Sequence, residues 1–243
     1  MRESGRTAIV TGGGKRVGAI IVQALLDDGW TVIAHVHHEL DPVPDGAIRV
    51  VADLAATDCA GKIFEASNGP GTVRLLVNNA ARFAFDGFGS VDVDEFDAHL
   101  RVNARAPMLL IDELARRHDE GEALVVNLLD AKLSAPNADF LSYTISKYAL
   151  AGLTEVAARA LAVKGIRVNA IAPALMLPSG GQGDANFAAV HDLNPLRHGI
   201  EVSDVVSALR YLIDSAGTTG QTLTLDGGQR FMALGRDVQF MER

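Results

Sequence analysis

Tyr143 and Lys147 stand four residues apart, and Asp130 stands thirteen residues before Tyr143. On a helix, side chains four apart share a face, one turn from each other. An ammonium beside a phenol favours the phenolate, so the pair predicts a Tyr143 that exchanges its proton well below a free phenol's pKa of about 10. Such a phenol suits general acid–base work. A second constellation is the run Thr11-Gly12-Gly13-Gly14-Lys15-Arg16-Val17-Gly18. Glycines let a backbone approach a pyrophosphate closely, and the helix that follows supplies N–H groups and the positive end of a dipole.

These residues need a scaffold, and the sequence alternates strand and helix from end to end. Apolar runs at 7–11, 31–36, 48–51, 73–77, 123–129, 167–171 and 222–225 read as strands. Helical periodicity covers 15–28 with Gly29 as its stop, 57–66, 92–117 with a kink or break at Pro107, 141–164 ending at Gly165, and 202–215. Continuous apolar strands between helices predict a parallel sheet covered on both faces. The fold class is therefore α/β, a single-domain, Rossmann-like, doubly wound parallel sheet of seven strands flanked by helices, over residues 1–243. Segment 37–47 carries Pro42 and Pro44 and predicts a missing or reduced crossover helix. Segment 173–200, with Gly180, Gly181 and Gly183, reads as a mobile substrate lid.

The 243 residues are 48% hydrophobic and 21% charged, and carry a net charge of −8. An acidic chain argues against nonspecific nucleic-acid or anionic-membrane binding. No apolar run approaches the roughly 20 residues of a membrane span, and no apolar leader precedes the first strand, so a cytoplasmic location is expected. The single cysteine, Cys59, rules out an intramolecular disulfide. His35, His37 and His38 lack a further ligand cluster, and no metal is expected.

From Thr7 to Gly228 the motifs resemble, in order and spacing, the short-chain dehydrogenase/reductase family. The resemblance makes Tyr143 the proton donor, Lys147 the residue that lowers its pKa and binds the nicotinamide ribose, and Asn103 the fourth catalytic residue, holding a water that links Lys147 to solvent. It implies cofactor contacts at Thr11, Gly12, Gly14, Lys15, Arg16, Val17 and Gly18, at Asp53-Leu54 beside the adenine, at Asn79, Ala80 and Ala81, and at Pro173. His37 and His38 end the second strand, where an NAD-specific site wants a carboxylate. With Lys15 and Arg16 nearby this favours NADPH, although Glu39 and Asp41 close by leave NADH open. Asp226-Gly227-Gly228 fits the family's closing motif, and helices 92–117 and 141–164 match those that pair in its homotetramers.

Two departures bear on substrate. Arg16 replaces the middle glycine of T-G-x-x-x-G-x-G, as in the pteridine-reductase branch, and Asp130 replaces the family's usual serine, as in pteridine and dihydromonapterin reductases. An ionised aspartate would repel the charge that develops on a ketone oxygen, but it suits a substrate presenting N–H donors. Asn78-Asn79-Ala80-Ala81-Arg82-Phe83 resembles the branch's N-N-A-S-x-F run, which places Phe83 on the face of a pterin. Ala81 stands where some relatives carry a substrate-contacting serine. The lid reads Pro173-Ala174-Leu175-Met176-Leu177-Pro178 rather than P-G-x-x-x-T, and leaves Leu175 and Met176 as candidates for backbone contacts only. The implied activity is NADPH-dependent reduction of a dihydropterin or dihydrofolate, with substrate contacts at Phe83, Arg16, Asp130 and Tyr143. A generic carbonyl or 3-ketoacyl reductase, and a nucleotide-binding protein without turnover in which Asp130 merely caps backbone, are the alternatives. Whether Asp130 acts as ionised acceptor or protonated donor stays open.

Overall fold

The apolar runs form seven strands, the inner ones buried on both faces and the edge strands Ile48–Val51 and Thr222–Leu225 partly exposed. In the computed structural model, which describes residues 6–67, 73–178, 182–232 and 234–241, the chain runs β1 (Thr7–Val10), α1 (Arg16–Asp27), β2 (Thr31–Val36), β3 (Ile48–Val51), α2 (Cys59–Glu65), β4 (Val73–Asn78), α3 (Val93–Leu100), α4 (Ala106–Arg117), β5 (Ala123–Leu128), α5 (Leu141–Leu161), β6 (Ile166–Pro173), α6 (Asp184–Val190), α7 (Val202–Asp214) and β7 (Thr222–Leu225). All seven strands are parallel, in the order β3-β2-β1-β4-β5-β6-β7. The order reverses direction between β1 and β4, and in such sheets ligands bind in the crevice beyond the carboxyl ends of the strands there. Gly12, Asn79 and Asp130 all follow carboxyl ends of β1, β4 and β5.

Two large hydrophobic clusters hold the layers, with a smaller one around Leu129 and Leu150. Ile9, Leu76 and Val125 pack with Leu110 and Leu114 of α4 on one face, and Val10, Val77 and Val126 with Ile21, Leu25 and Leu209 on the other. Segment 37–47 holds turns and no helix, as its prolines predict. Helix termini follow local chemistry: Asp92 caps α3 by accepting from the Asp94 and Glu95 N–H groups, and Glu201 with Asp204 forms a reciprocal capping box on α7.

Residues 93–117 are helical without a break, and the structure moves the irregularity: it is a π-helical turn, Arg101–Arg105, between α3 and α4, not a kink or break at Pro107. Pro107 sits in the first turn of α4, where its missing N–H costs little. The π turn carries Asn103, whose buried side chain accepts from Arg82 N at 2.7 Å and donates to Arg82 O and Ser146 Oγ, each at 2.9 Å. Within segment 173–200, α6 is ordered on Gly183 as its N-cap, while Gly180 and Gly181 lie outside the described residues.

Candidate active site

The glycine run is shaped by what surrounds it. Gly12 has φ +64°, and a Cβ on Gly18 would lie 2.7 Å from Asn79 Nδ2 and closer still to Gly12 O. A Cβ on Gly14 would meet Val36 Cγ1 at 2.8 Å and crowd the Pro42 carbonyl. Arg16, at the family's middle-glycine position, adopts φ +51°, a region a side chain rarely enters. Thr11 and Asn79 face inward and lock this turn: Thr11 Oγ1 accepts from Asn79 N (3.0 Å) and Ala80 N (3.1 Å), and Asn79 Nδ2 donates to Thr11 O (2.9 Å). His35 adds a support that sequence reasoning missed. It is buried, its Nδ1 accepts from Gly12 N at 3.2 Å, and its Nε2–H donates to Ala52 O at 3.0 Å. Burial lowers its pKa, which keeps the acceptor lone pair.

A cavity of about 640 Å³ opens over this turn. Gly12, Gly14, Lys15, Arg16, Val17, Gly18, His37, Asp53, Leu54, Asn79, Ala80 and Ala81 line it. Three expected cofactor residues do not: Thr11 is buried beneath the turn, Pro173 is buried at the end of β6, and His38 lies outside the wall, its backbone N–H donating to Asp41 Oδ2 (3.0 Å), which does line it. The π-turn residue Asn103 does not line it. Its side chain, bonded to both the N–H and the carbonyl of Arg82, positions the 81–83 loop. His99, unassigned from the sequence, does similar work: Nε2 accepts from Ala84 N at 3.2 Å while Nδ1 donates to Glu95 O at 2.9 Å.

The second cavity, of about 500 Å³, shares Arg16 and Ala81 with the first and is lined by Phe83, Asp130, Lys132, Tyr143, Leu175, Met176 and Asp237 among others. Arg16 Nη2 donates to Pro178 O at 2.9 Å, tying the turn to the segment after β6. Asp130 caps the 3-10 turn Ala131–Ser134 with Oδ1, which accepts from Lys132 N at 2.8 Å. Its Oδ2 accepts the Tyr143 hydroxyl at 2.9 Å. Capping and contact with Tyr143 thus coexist, and both oxygens act as acceptors. Burial nevertheless raises the Asp130 pKa, with the two hydrogen bonds opposing it.

The expected lowering of Tyr143 does not occur. Burial and then the Asp130 carboxylate push its pKa well above that of a free phenol. Lys147 Nζ donates to Leu128 O at 2.6 Å and sits 5.6 Å from the Tyr143 ring centroid, so its charge is turned to the β5 carbonyl rather than to the phenolic oxygen. Burial lowers the Lys147 pKa to about 8, against the pull of Asp130. The phenol is therefore fully protonated at neutral pH: a stored proton beside an acceptor.

Phe83 is 43% exposed in the cavity wall. One face stacks on Phe140, with centroids 4.4 Å apart and an interplanar angle of 22°, and Tyr143 meets it edge-on at 4.7 Å. Among the described residues no group of three or more His, Cys, Asp or Glu side chains converges as a metal site, and no helix is long and apolar enough to cross a membrane. Cys59 is buried, and burial raises its thiol pKa.

Known proteins similar to this chain include reductases of different substrates. Residues 15–230 match a family model described as enoyl-(acyl carrier protein) reductase. L-xylulose reductase of Bos taurus is 35% identical, the match covering 94% of this chain and 98% of that one. Pteridine reductase 1 of Leishmania tarentolae is 32% identical over 91% and 95%. The crystal structure of FolM alternative dihydrofolate reductase 1 from Brucella canis, complexed with NADP, superposes with a TM-score of 0.87 at 35% identity, covering 94% of this chain and 95% of that one.

Proposed function

Because the chain belongs to the short-chain dehydrogenase/reductase family of oxidoreductases, we propose that it uses NADPH to reduce a C=N bond of a dihydropterin or dihydrofolate. The observation that carries this reading is the Asp130–Tyr143 hydrogen bond in a cavity walled by Phe83. A carboxylate here opposes charge on the phenolic oxygen. A substrate that brings N–H donors to Asp130 offsets that opposition; a ketone, which brings only an acceptor, does not.

NADPH suits the larger cavity. The positive-φ Gly12 and the tight Gly14 and Gly18 leave backbone room for a pyrophosphate at the N-terminus of α1, while Lys15, Arg16 and His37 supply donors for a ribose phosphate. The bound nicotinamide would supply the hydride. Tyr143 donates its phenolic proton to the substrate nitrogen, so that hydride on carbon and proton on nitrogen complete the reduction. Asp130 orients the ring by accepting from the ring's N–H groups, Phe83 covers one face, and Lys147, held by the Leu128 carbonyl one helical turn from Tyr143, binds the nicotinamide ribose. Arg16 contacts both cavities and sets the distance between cofactor and substrate.

The reading predicts that adding a dihydropterin to the protein–NADP⁺ complex perturbs the pterin absorption band, and that Phe83→Ala removes the perturbation and raises the dissociation constant about 3- to 10-fold, the usual worth of an aromatic stack. An equal perturbation in Phe83→Ala refutes the stacking role. The identity to L-xylulose reductase favours a second reading, carbonyl reduction, which predicts no pterin band shift at all.

A further inference from the structure

A second groove adjoins the catalytic cavity and is unassigned. It has a volume of about 400 Å³ and shares Phe83 and Arg236 with the substrate cavity. Its walls are aromatic: Phe85 meets Phe140 edge-on at 5.3 Å and Phe240 at 5.5 Å, and Phe140 and Phe240 lie nearly parallel, 5.8 Å apart. Three of these rings remain open, with Phe83 43%, Phe85 59% and Phe240 41% exposed. Two polar features make it more than an apolar patch. Gln239 Oε1, in the same wall, is buried and has no hydrogen-bond partner, although a buried acceptor ordinarily finds one. Arg236 lies over the Phe240 ring at 5.2 Å, and its Nε–H pairs with Asp139, which leaves terminal N–H groups for an incoming carboxylate.

Resting on the proposed reaction, we propose that this groove is an extension of the substrate site that binds an aryl-amide arm ending in a carboxylate, attached to the reduced ring. The ring of the arm packs among Phe85, Phe140 and Phe240, its N–H donates to Gln239 Oε1, and its carboxylate meets Arg236. The groove is built partly from the C-terminal segment, which Asn186 Nδ2 ties to α6 through Met241 O at 2.9 Å. The arm thus makes the protein selective for a dihydrofolate over a dihydropterin with a short side chain.

The test compares dihydrofolate with dihydrobiopterin in wild type, Phe240→Ala and the near-isosteric Gln239→Leu. Each variant is expected to raise KM for dihydrofolate about 3- to 10-fold and leave kcat, and both constants for dihydrobiopterin, unchanged. In parallel, 4-aminobenzoylglutamate is expected to bind wild-type protein by saturation-transfer NMR and to lose that signal in both variants. No signal for this fragment, or variants that shift both substrates equally, overturns the proposal; so does a Phe240→Ala protein that changes only its oligomeric state, which would make the groove a contact between copies. Fragment binding that is lost in the variants, without turnover of either pterin, upholds the groove and rejects the proposed reaction instead.

Discussion

Tyr143→Phe is expected to lower kcat for dihydropterin reduction about 10²- to 10⁴-fold, the usual contribution of a positioned general acid, while NADPH binding stays at the wild-type level. The substitution keeps the ring, so the edge-on contact with Phe83 at 4.7 Å survives and the cavity keeps its shape. It deletes only the hydroxyl that donates to Asp130 Oδ2. Stability should fall as well, by about 1–3 kcal/mol near neutral pH, because a buried carboxylate oxygen loses its donor. The sign with pH follows from Asp130. Its folded-state pKa lies above the ordinary value, so its contribution to stability is full below the unfolded pKa and is lost as pH rises through the folded one. Removing the hydroxyl raises that pKa further, and the variant's deficit should shrink toward acid. Steady-state rates, a cofactor titration and thermal melts at pH 5 and 7 check all three. A variant that retains more than about a tenth of wild-type kcat would remove Tyr143 from the acid role.

Asp130→Ser is expected to divide the substrates. For a dihydropterin, kcat/KM should fall about 10- to 150-fold, as expected for loss of hydrogen bonds to a charged group worth about 1.5–3 kcal/mol. For a small ketone it should hold or rise. A serine still caps the 3-10 turn at Lys132 N, since short hydroxyl side chains cap well. It also removes the carboxylate that opposes tyrosinate formation and supplies a donor to an oxygen gaining charge. Paired kcat/KM measurements decide the matter. Equal losses on both substrates would reduce Asp130 to a cap.

The sheet was legible because its strands are predominantly apolar and its helices carry stops such as Gly29 and Gly165, both at positive φ. The glycine turn was legible for the same reason: only glycine tolerates those approaches. What escaped were roles set by long-range register. His35 reads as one histidine among three until β1 and β2 align it under Gly12, and His99 as a helical surface residue until the 81–85 loop folds onto it. The π turn at 101–105 has no local signal distinct from ordinary helix. The Tyr143–Lys147 spacing was read correctly as one face, but the competition for Lys147 by the Leu128 carbonyl, and for Tyr143 by Asp130, depends on β5 and reverses the expected shift of the phenol. The C-terminal segment, with Arg236, Gln239 and Phe240, carries no motif at all, and its place beside the site emerges only from the fold.

The most direct test of the central claim is NADPH oxidation by the wild-type protein, followed at 340 nm, with dihydrobiopterin, dihydrofolate and L-xylulose offered separately at equal concentration. The expected result is a kcat/KM at least tenfold higher for a pterin than for the sugar. Rapid oxidation with L-xylulose and none with either pterin would contradict it.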